Sequence, residues 1–252
     1  MISVEHLCKS YSGSKSSSFF SAQKVPALND VSFMLSGGKT LIVSGTKNSG
    51  KTSLLKILSA IIKPDSGSIN VLGSDLKKSA NDIRRQSVYL TNNQPFFDYL
   101  NCKEQLSYFA LLKGIRPGAS NPAINELLKK WNLNPRKPVS KLSMEEKMLL
   151  GLAQVQLIRP KLILLDEPAF GLDIFTAKPI FEMINEAKKE GIGIVYASGN
   201  LSNIEMFGDD IIFLHQGKMV YQSPLQTFLQ GFDNSADKGF IHVISEAEKS
   251  TQ

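Results

Sequence analysis

Gly45-Thr-Lys-Asn-Ser-Gly-Lys-Thr52 satisfies G-x-x-x-x-G-K-[ST], and its flanks give it the right context. Thr40-Leu-Ile-Val-Ser44 before it reads as a strand, and Ser53-Leu-Leu-Lys-Ile-Leu58 after it as the start of a helix. Glycines let the backbone curl tightly, so that successive amides converge on one anion. The amino end of the helix adds favourable partial charge at the same place. Gly45, Thr46, Lys47, Asn48, Ser49, Gly50, Lys51, Thr52 and Ser53 are therefore the candidate contacts for a polyphosphate. Lys51 is expected to reach the outer phosphates and Thr52 to offer its hydroxyl to a divalent cation.

A second segment completes that chemistry. Pro160-Lys-Leu-Ile-Leu-Leu-Asp166-Glu167-Pro168 reads as a strand buried on both faces that ends in two carboxylates. Asp166 is placed to hold the cation through water, and Glu167 to polarise an attacking water as general base. Such an acidic pair alone often caps a helix. After a phosphate loop it points instead to a nucleoside triphosphate, magnesium and hydrolysis.

The 252 residues are 42% hydrophobic and 21% charged, which excludes disordered and fibrous classes. Twenty-nine basic against 23 acidic residues leave a net charge of +6, spread along the chain. The densest basic segment, Leu128–Trp131 through Asn134–Lys137, reads as a solvated helix end rather than a nucleic-acid face. Two cysteines, Cys8 and Cys102, make no disulfide framework or metal spacing, and neither do the three histidines. The first residues lack the pattern of a signal peptide, and no apolar run approaches the roughly 20 residues that span a bilayer.

Short β-branched segments alternate with helical patterns, which predicts an α/β fold with a mainly parallel sheet. Strands are expected at Ile2–Leu7, Val31–Leu35, Leu41–Ser44, Ser68–Val71, Val88–Leu90, Leu162–Leu165 and Ile192–Ala197. A hairpin is expected from Ile211–Leu214 and Lys218–Tyr221 around His215-Gln-Gly217. Helices are expected at Lys51–Ile62, Lys103–Lys113, Pro122–Trp131, Ser143–Ile158 and Phe175–Lys189, with Pro179 kinking the last or delaying its start. Ser12–Ser18 reads as a polar insertion in which Phe19-Phe20 is either a contact point or folded back. From Asn93 to Pro160 the chain is helical throughout. In the tail, Pro224–Gln230 reads as a short amphipathic helix and Phe240–Ile244 as an apolar patch returning to the body.

The order of phosphate loop, helical stretch, Leu142-Ser143 before a helix, Leu-Leu-Asp-Glu-Pro and Phe170-Gly-Leu-Asp173 resembles the ATP-binding subunit of an ABC transporter, most of all those serving ABC-2 type exporters. The resemblance runs from Val4–Tyr11, through Val25–Phe33, to the hairpin at His215. It implies a P-loop NTPase (RecA-like) core with an antiparallel β subdomain and an inserted helical lobe. It implies one domain over 1–252: residues 1–92 and 161–222 form the β subdomain and core, 93–160 the lobe and 223–252 a tail. ATP and Mg²⁺ are the implied cofactors. Tyr11 would stack on adenine, Asn92 would join Asp166 and Thr52 at the metal, and Asp173 would lie in the loop that crosses a dimer interface. The implied mechanism is head-to-tail dimerisation around ATP, coupled to an integral membrane subunit docked near Pro95–Leu112 on the cytoplasmic face of the inner membrane.

Three positions depart from the family pattern. Leu142-Ser-Met-Glu-Glu146 stands where Leu-Ser-Gly-Gly-Gln is usual, so Glu145 would oppose a partner's γ-phosphate. Ser143-Met-Glu-Glu146 is also S-x-x-E, a capping box that satisfies the helix end within its own chain. Gly199 occupies the place of the phosphate-sensing histidine, and Asn92 that of a glutamine one methylene longer. A second ATPase chain with an intact signature would resolve the first departure. Two further readings stay open: an ATP-binding regulatory subunit with negligible turnover, and a nucleic-acid or ribosome ATPase. The latter usually has two ATPase domains or a coiled-coil insertion.

Overall fold

The computed structural model describes residues 1–12 and 24–250; the expected insertion beyond Ser12, with Phe19-Phe20, lies outside the described residues. From the amino end, β1 (Ile2–Ser12) and β2 (Lys24–Leu35) lead into β3 (Thr40–Gly45) and α1 (Lys51–Leu58). Then come β4 (Ser66–Val71), β5 (Ser74–Asp75), α2 (Ala80–Gln86) and β6 (Ser87–Thr91). α3 (Cys102–Leu112), α4 (Pro117–Lys130) and α5 (Met144–Ile158) follow without an intervening strand. The chain returns through β7 (Leu162–Asp166), α6 (Ile174–Lys189), β8 (Gly193–Ala197), β9 (Asp210–His215), β10 (Lys218–Pro224), α7 (Leu225–Gln230) and α8 (Ala236–Lys249).

Every residue of β3, β7 and β8 is buried, as expected of central strands covered on both faces. They lie in a six-stranded sheet of order β10-β9-β3-β8-β7-β6, parallel except for β10. The alternation of the pleat divides their side chains between two cores. Leu162, Leu164, Val195 and Ala197 face α1 and the small antiparallel sheet β2-β1-β4-β5. Ile163, Leu165, Ile194 and Tyr196 face α5 and α6. The architecture is thus a P-loop NTPase core beside an antiparallel β layer. A third cluster, around Leu106, Ile124, Leu128, Leu150 and Leu157, holds α3, α4 and α5 together.

Several boundaries differ from expectation, each for a local reason. α1 stops at Leu58, because Ala60 turns to φ +56° and the Ile61 and Ile62 amides both fold back to Lys56 O. α4 begins at Pro117, a favourable first position, and contains Pro122 rather than starting there. Pro179 does not delay α6, whose start at Ile174 is fixed by the Asp173 carboxylate on the Phe175 and Thr176 amides. β1 and β2 pair out to Ser12 and Lys24, well beyond the expected strands. α2 was not expected, and the Phe240–Ile244 patch lies within α8, whose Val243 and Ile244 are buried. The hairpin turns on Gln216 and Gly217, both at positive φ, as a two-residue turn matched to strand twist requires.

The parallel register brings the carboxyl ends of four strands to one edge. Val43 pairs with Ala197, Asp166 with Ala197, and Thr91 with Asp166. A crevice outside the strand ends is where open α/β sheets hold their ligands.

Candidate functional site

The loop between β3 and α1 closes around its own backbone. Gly45 has φ +151° and Gly50 φ +105°, values that L side chains rarely adopt. A Cβ on Gly45 would lie 2.0 Å from Leu214 O, and one on Gly50 would lie 2.3 Å from Ala27 O. Both glycines are therefore fixed by close backbone approach as well as by torsion. No side chain caps α1, so its first-turn amides stay open toward the loop. Ser49 Oγ is buried without a partner. Lys47 and Asn48 are exposed at the tip, Asn48 at φ +61°. Lys51 Nζ donates to Gly45 O at 2.9 Å and Thr46 O at 3.0 Å, so its ammonium arches over the curl. Burial pulls that ammonium below the usual lysine range, and the charges of Glu167 and Asp166 partly oppose the shift.

Thr46 is held from behind: its Oγ1 lies 3.2 Å from Nδ1 of the buried His215. Tyr11, 43% exposed, reaches the first turn of α1 through its hydroxyl, 3.2 Å from Ser53 Oγ. Lys9 Nζ lies 5.6 Å from the centroid of the Tyr11 ring.

Asp166 closes β7 opposite that turn and is only 4% exposed. Thr52 Oγ1 donates to its Oδ1 at 3.2 Å, and the Tyr89 hydroxyl donates to its Oδ2 at 2.7 Å. Glu167 follows at φ +51°, a conformation that costs a non-glycine residue about 1 kcal/mol or more. Its amide bonds Ala197 O, while its carboxylate accepts from Ser198 Oγ at 3.1 Å and Gly199 N at 2.8 Å. The strained backbone thus turns Glu167 away from Asp166 and toward the end of β8.

Two clefts meet at Glu167. One, of about 820 Å³, runs from Thr52, Tyr89, Asn92 and Asp166 toward Phe109 and Lys113. The other, of about 600 Å³, is bounded by Glu167, Asp173, Gly199 and Asn200. Asn92 touches Asp166 through its amide, 3.3 Å from Asp166 O, while its side-chain oxygen accepts from Thr91 Oγ1. Asp173 lies apart from the loop. Hydrogen bonds from Thr176, then from the Phe175 amide, hold its carboxyl below the usual range.

The structure therefore brings the loop, Lys51, Thr52, Asp166, Glu167 and Gly199 to one edge, with Asn92 beside them. Tyr11 meets the first turn of α1 at Ser53, and Asp173 lies in the second cleft. An open helix end, a buried orphan hydroxyl, a cradle that any Cβ would fill and a hydroxyl–carboxylate pair fit a triphosphate with a hard divalent cation. Tyr89, Ser198 and His215 were missed by sequence reasoning. Tyr89 sits two residues before Thr91, on the same face of β6, and Thr91 pairs with Asp166, a register that the sequence alone does not display. The helix amino terminus at Met144 carries the expected capping box, Ser143 Oγ accepting from Glu146 N and Glu146 Oε2 from Ser143 N. Lys137 Nζ holds Glu146 at 2.7 Å, and Glu145 is exposed.

A family model described as ABC transporter matches residues 28–170. The ABC transporter ATP-binding protein NatA of Bacillus subtilis is 26% identical over 222 residues, 87% of this chain and 90% of NatA. The putative ABC transporter ATP-binding protein TTE0246 of Caldanaerobacter subterraneus is 30% identical over 210 residues, 80% of this chain and 86% of that protein. A solved ATP-binding subunit of an ABC transporter matches with a TM-score of 0.82 at 24% identity, over 97% of this chain and 99% of the other.

Proposed function

This chain belongs to the ABC transporter family as an ATP-binding subunit and ATPase, and from that premise we propose that it couples ATP hydrolysis to substrate movement by a separate membrane subunit. Among the described residues no helix is long and apolar enough to cross a membrane. In this reading the chain sits peripherally on the cytoplasmic face of the membrane, bound through that subunit.

The amides from Thr46 to Ser53 receive the triphosphate, with Lys51 swinging from the loop carbonyls to its outer phosphates. Thr52, Asp166 and Asn92 would hold Mg²⁺, whose chemistry when bound is to neutralise charge on the β- and γ-phosphates. Tyr11 covers the base. Glu167 takes the proton of the attacking water, and Gly199 and Asp173 line the cleft on its other side. The observation that carries the reading is the Thr52–Asp166 contact of 3.2 Å at the mouth of an uncapped helix. Mg²⁺-dependent binding of a fluorescent ATP analogue by wild type, abolished in Lys51→Ala, is the expected result. Metal-independent or absent binding would overturn it.

The second half of the proposal concerns the partner. Head-to-tail pairing would present the amino end of α5 to a second nucleotide. Here Ser143 and Glu146 already satisfy that end, and exposed Glu145 adds like charge against a phosphate. A second ATPase chain, with an open signature helix, complements this chain better than another copy of itself. The capping box and the missing side chain at Gly199 also favour the alternative of a regulatory subunit with negligible turnover. Phosphate release by wild type and Glu167→Gln, with copurified membrane partners, separates the two. Turnover above that of the variant supports the transport ATPase.

A further inference from the structure

Asp166 is the carboxylate on which the metal reading rests, yet its strand does not fix its orientation. The torsion that turns a carboxylate is broad and roughly two-fold, so a buried Asp takes the direction its hydrogen-bond donors impose. Two hydroxyls impose it here. Thr52 holds Oδ1 at 3.2 Å from the phosphate-loop side, and Tyr89 holds Oδ2 at 2.7 Å from the neighbouring strand. The Tyr89 contact is the shorter, and it comes from a residue anchored along its length. The ring packs with the core beneath α1, on the face of the sheet that carries Leu162 and Leu164, and β6 pairs Tyr89 with Leu164. Its edge forms a wall of the larger cleft beside Thr52, Asn92 and Asp166. Burial, then the bond to Asp166, pushes the phenol far above the usual tyrosine range, so it remains a donor.

We propose that Tyr89 is a positioning residue for the divalent cation: its hydroxyl pins the second oxygen of Asp166, so that the first stays turned toward Thr52. The inference rests on the metal-nucleotide reading given above and adds a residue to it. Without the phenol, Oδ2 would be left in a nearly dry site, with the Lys51 ammonium among the charges close enough to act on it. Rotation of the carboxylate toward Lys51 would take two groups out of place at once.

Tyr89→Phe is the test, because it removes one oxygen and keeps the ring. A fluorescent ATP analogue is titrated into wild type and variant, first in chelator and then at graded Mg²⁺, with Mn²⁺ binding to the nucleotide complex followed by electron paramagnetic resonance. Affinity in chelator should be unchanged, while the metal concentration for half-maximal enhancement should rise about tenfold, as for other groups that orient a metal's ligands. Equal metal midpoints for the two proteins would overturn the inference, whatever happens to the melting temperature. Failure of wild type to show any metal dependence would instead overturn the underlying reading, and the role of Tyr89 with it.

Discussion

Glu167 and Gly199 form a contact that bears on one departure from the family pattern. The Gly199 amide donates to Glu167 Oε1, so the backbone there steadies the carboxylate without any side chain. Gly199 is not among the glycines at positive φ, and a Cβ on it would meet only Glu167 Oε1, at 3.6 Å. Glycine is therefore not demanded by torsion or by space, and a histidine can be introduced. Gly199→His is expected to fold with an unchanged melting temperature and to raise phosphate release, since a donor there can stabilise charge developing on the γ-phosphate. Glu167→Gln is expected to lower turnover about 10²- to 10⁴-fold, the usual worth of a general base. Binding of the ATP analogue, measured separately, should stay within about twofold of wild type, because the amide retains the size of the acid and loses its basicity. These residues were legible because their chemistry is packed into short contiguous motifs. Tyr89 and His215 were not, because each reaches the site across strands distant in sequence, and such contacts follow from register that no short pattern encodes.

At the scale of elements, the amino end of α5 tests the partner hypothesis. Ser143→Ala removes a cap and should cost about 1 kcal/mol in chemical denaturation. Glu146 answers to pH. Its carboxyl is held below the ordinary 4.5, first by Lys137 and then by the Ser143 amide. A depressed carboxyl pKa contributes stability above the unfolded value and loses it as pH falls through the folded one. Wild type should therefore lose its advantage over Lys137→Met in thermal melts as pH falls below about 4.5. Glu145→Gly should increase Mg²⁺-ATP-dependent self-association, seen by sedimentation, if the exposed charge is what repels a second nucleotide. The same scale shows what the pattern of residues could and could not reveal. β3, β7 and β8 were legible because strands buried on both faces read as unbroken apolar runs. The outer halves of β1 and β2 pair mainly with each other and are half-buried or exposed, so Lys9–Ser12 and Lys24–Pro26 lie outside the expected strands. α2 hides because seven residues bury only Ile83, while α8 shows only as its Phe240–Ile244 patch, part of a face whose Phe240 packs against Phe213.

At the scale of the molecule, the lobe and the core meet along α5. Leu152 and Val155 belong to the core under the sheet, while Leu150, Ala153 and Leu157 belong to the lobe, so one helix serves both. Trp131, the sole tryptophan, packs against both clusters at the end of α4. Its Nε1 donates to Gln156 Oε1 at 3.0 Å, and Gln156 Nε2 reaches Glu186 Oε2 at 3.4 Å, a polar line from α4 through α5 to α6. On the opposite side Lys113, at the end of α3, donates to Ser87 O at 2.6 Å and to Arg84 O. These are separate ties between two separately packed bodies, and the larger cleft with Asp166 lies against the second of them. A nucleotide that bonds the core and draws Asn92 inward would pull on the lobe through residues 93–101, the connection that leads from Asn92 to α3. Trp131 emission should therefore shift when wild type binds Mg²⁺ and the ATP analogue, and not when Lys51→Ala is given the same mixture. Lys113→Met should lower stability by about 1 kcal/mol, since the half-buried Ser87 carbonyl and the exposed Arg84 carbonyl lose a shared donor, and should enlarge the emission change by freeing the lobe. An unchanged spectrum at saturating nucleotide would mean that lobe and core move as one body, and that any signal to a membrane partner leaves through the β layer instead.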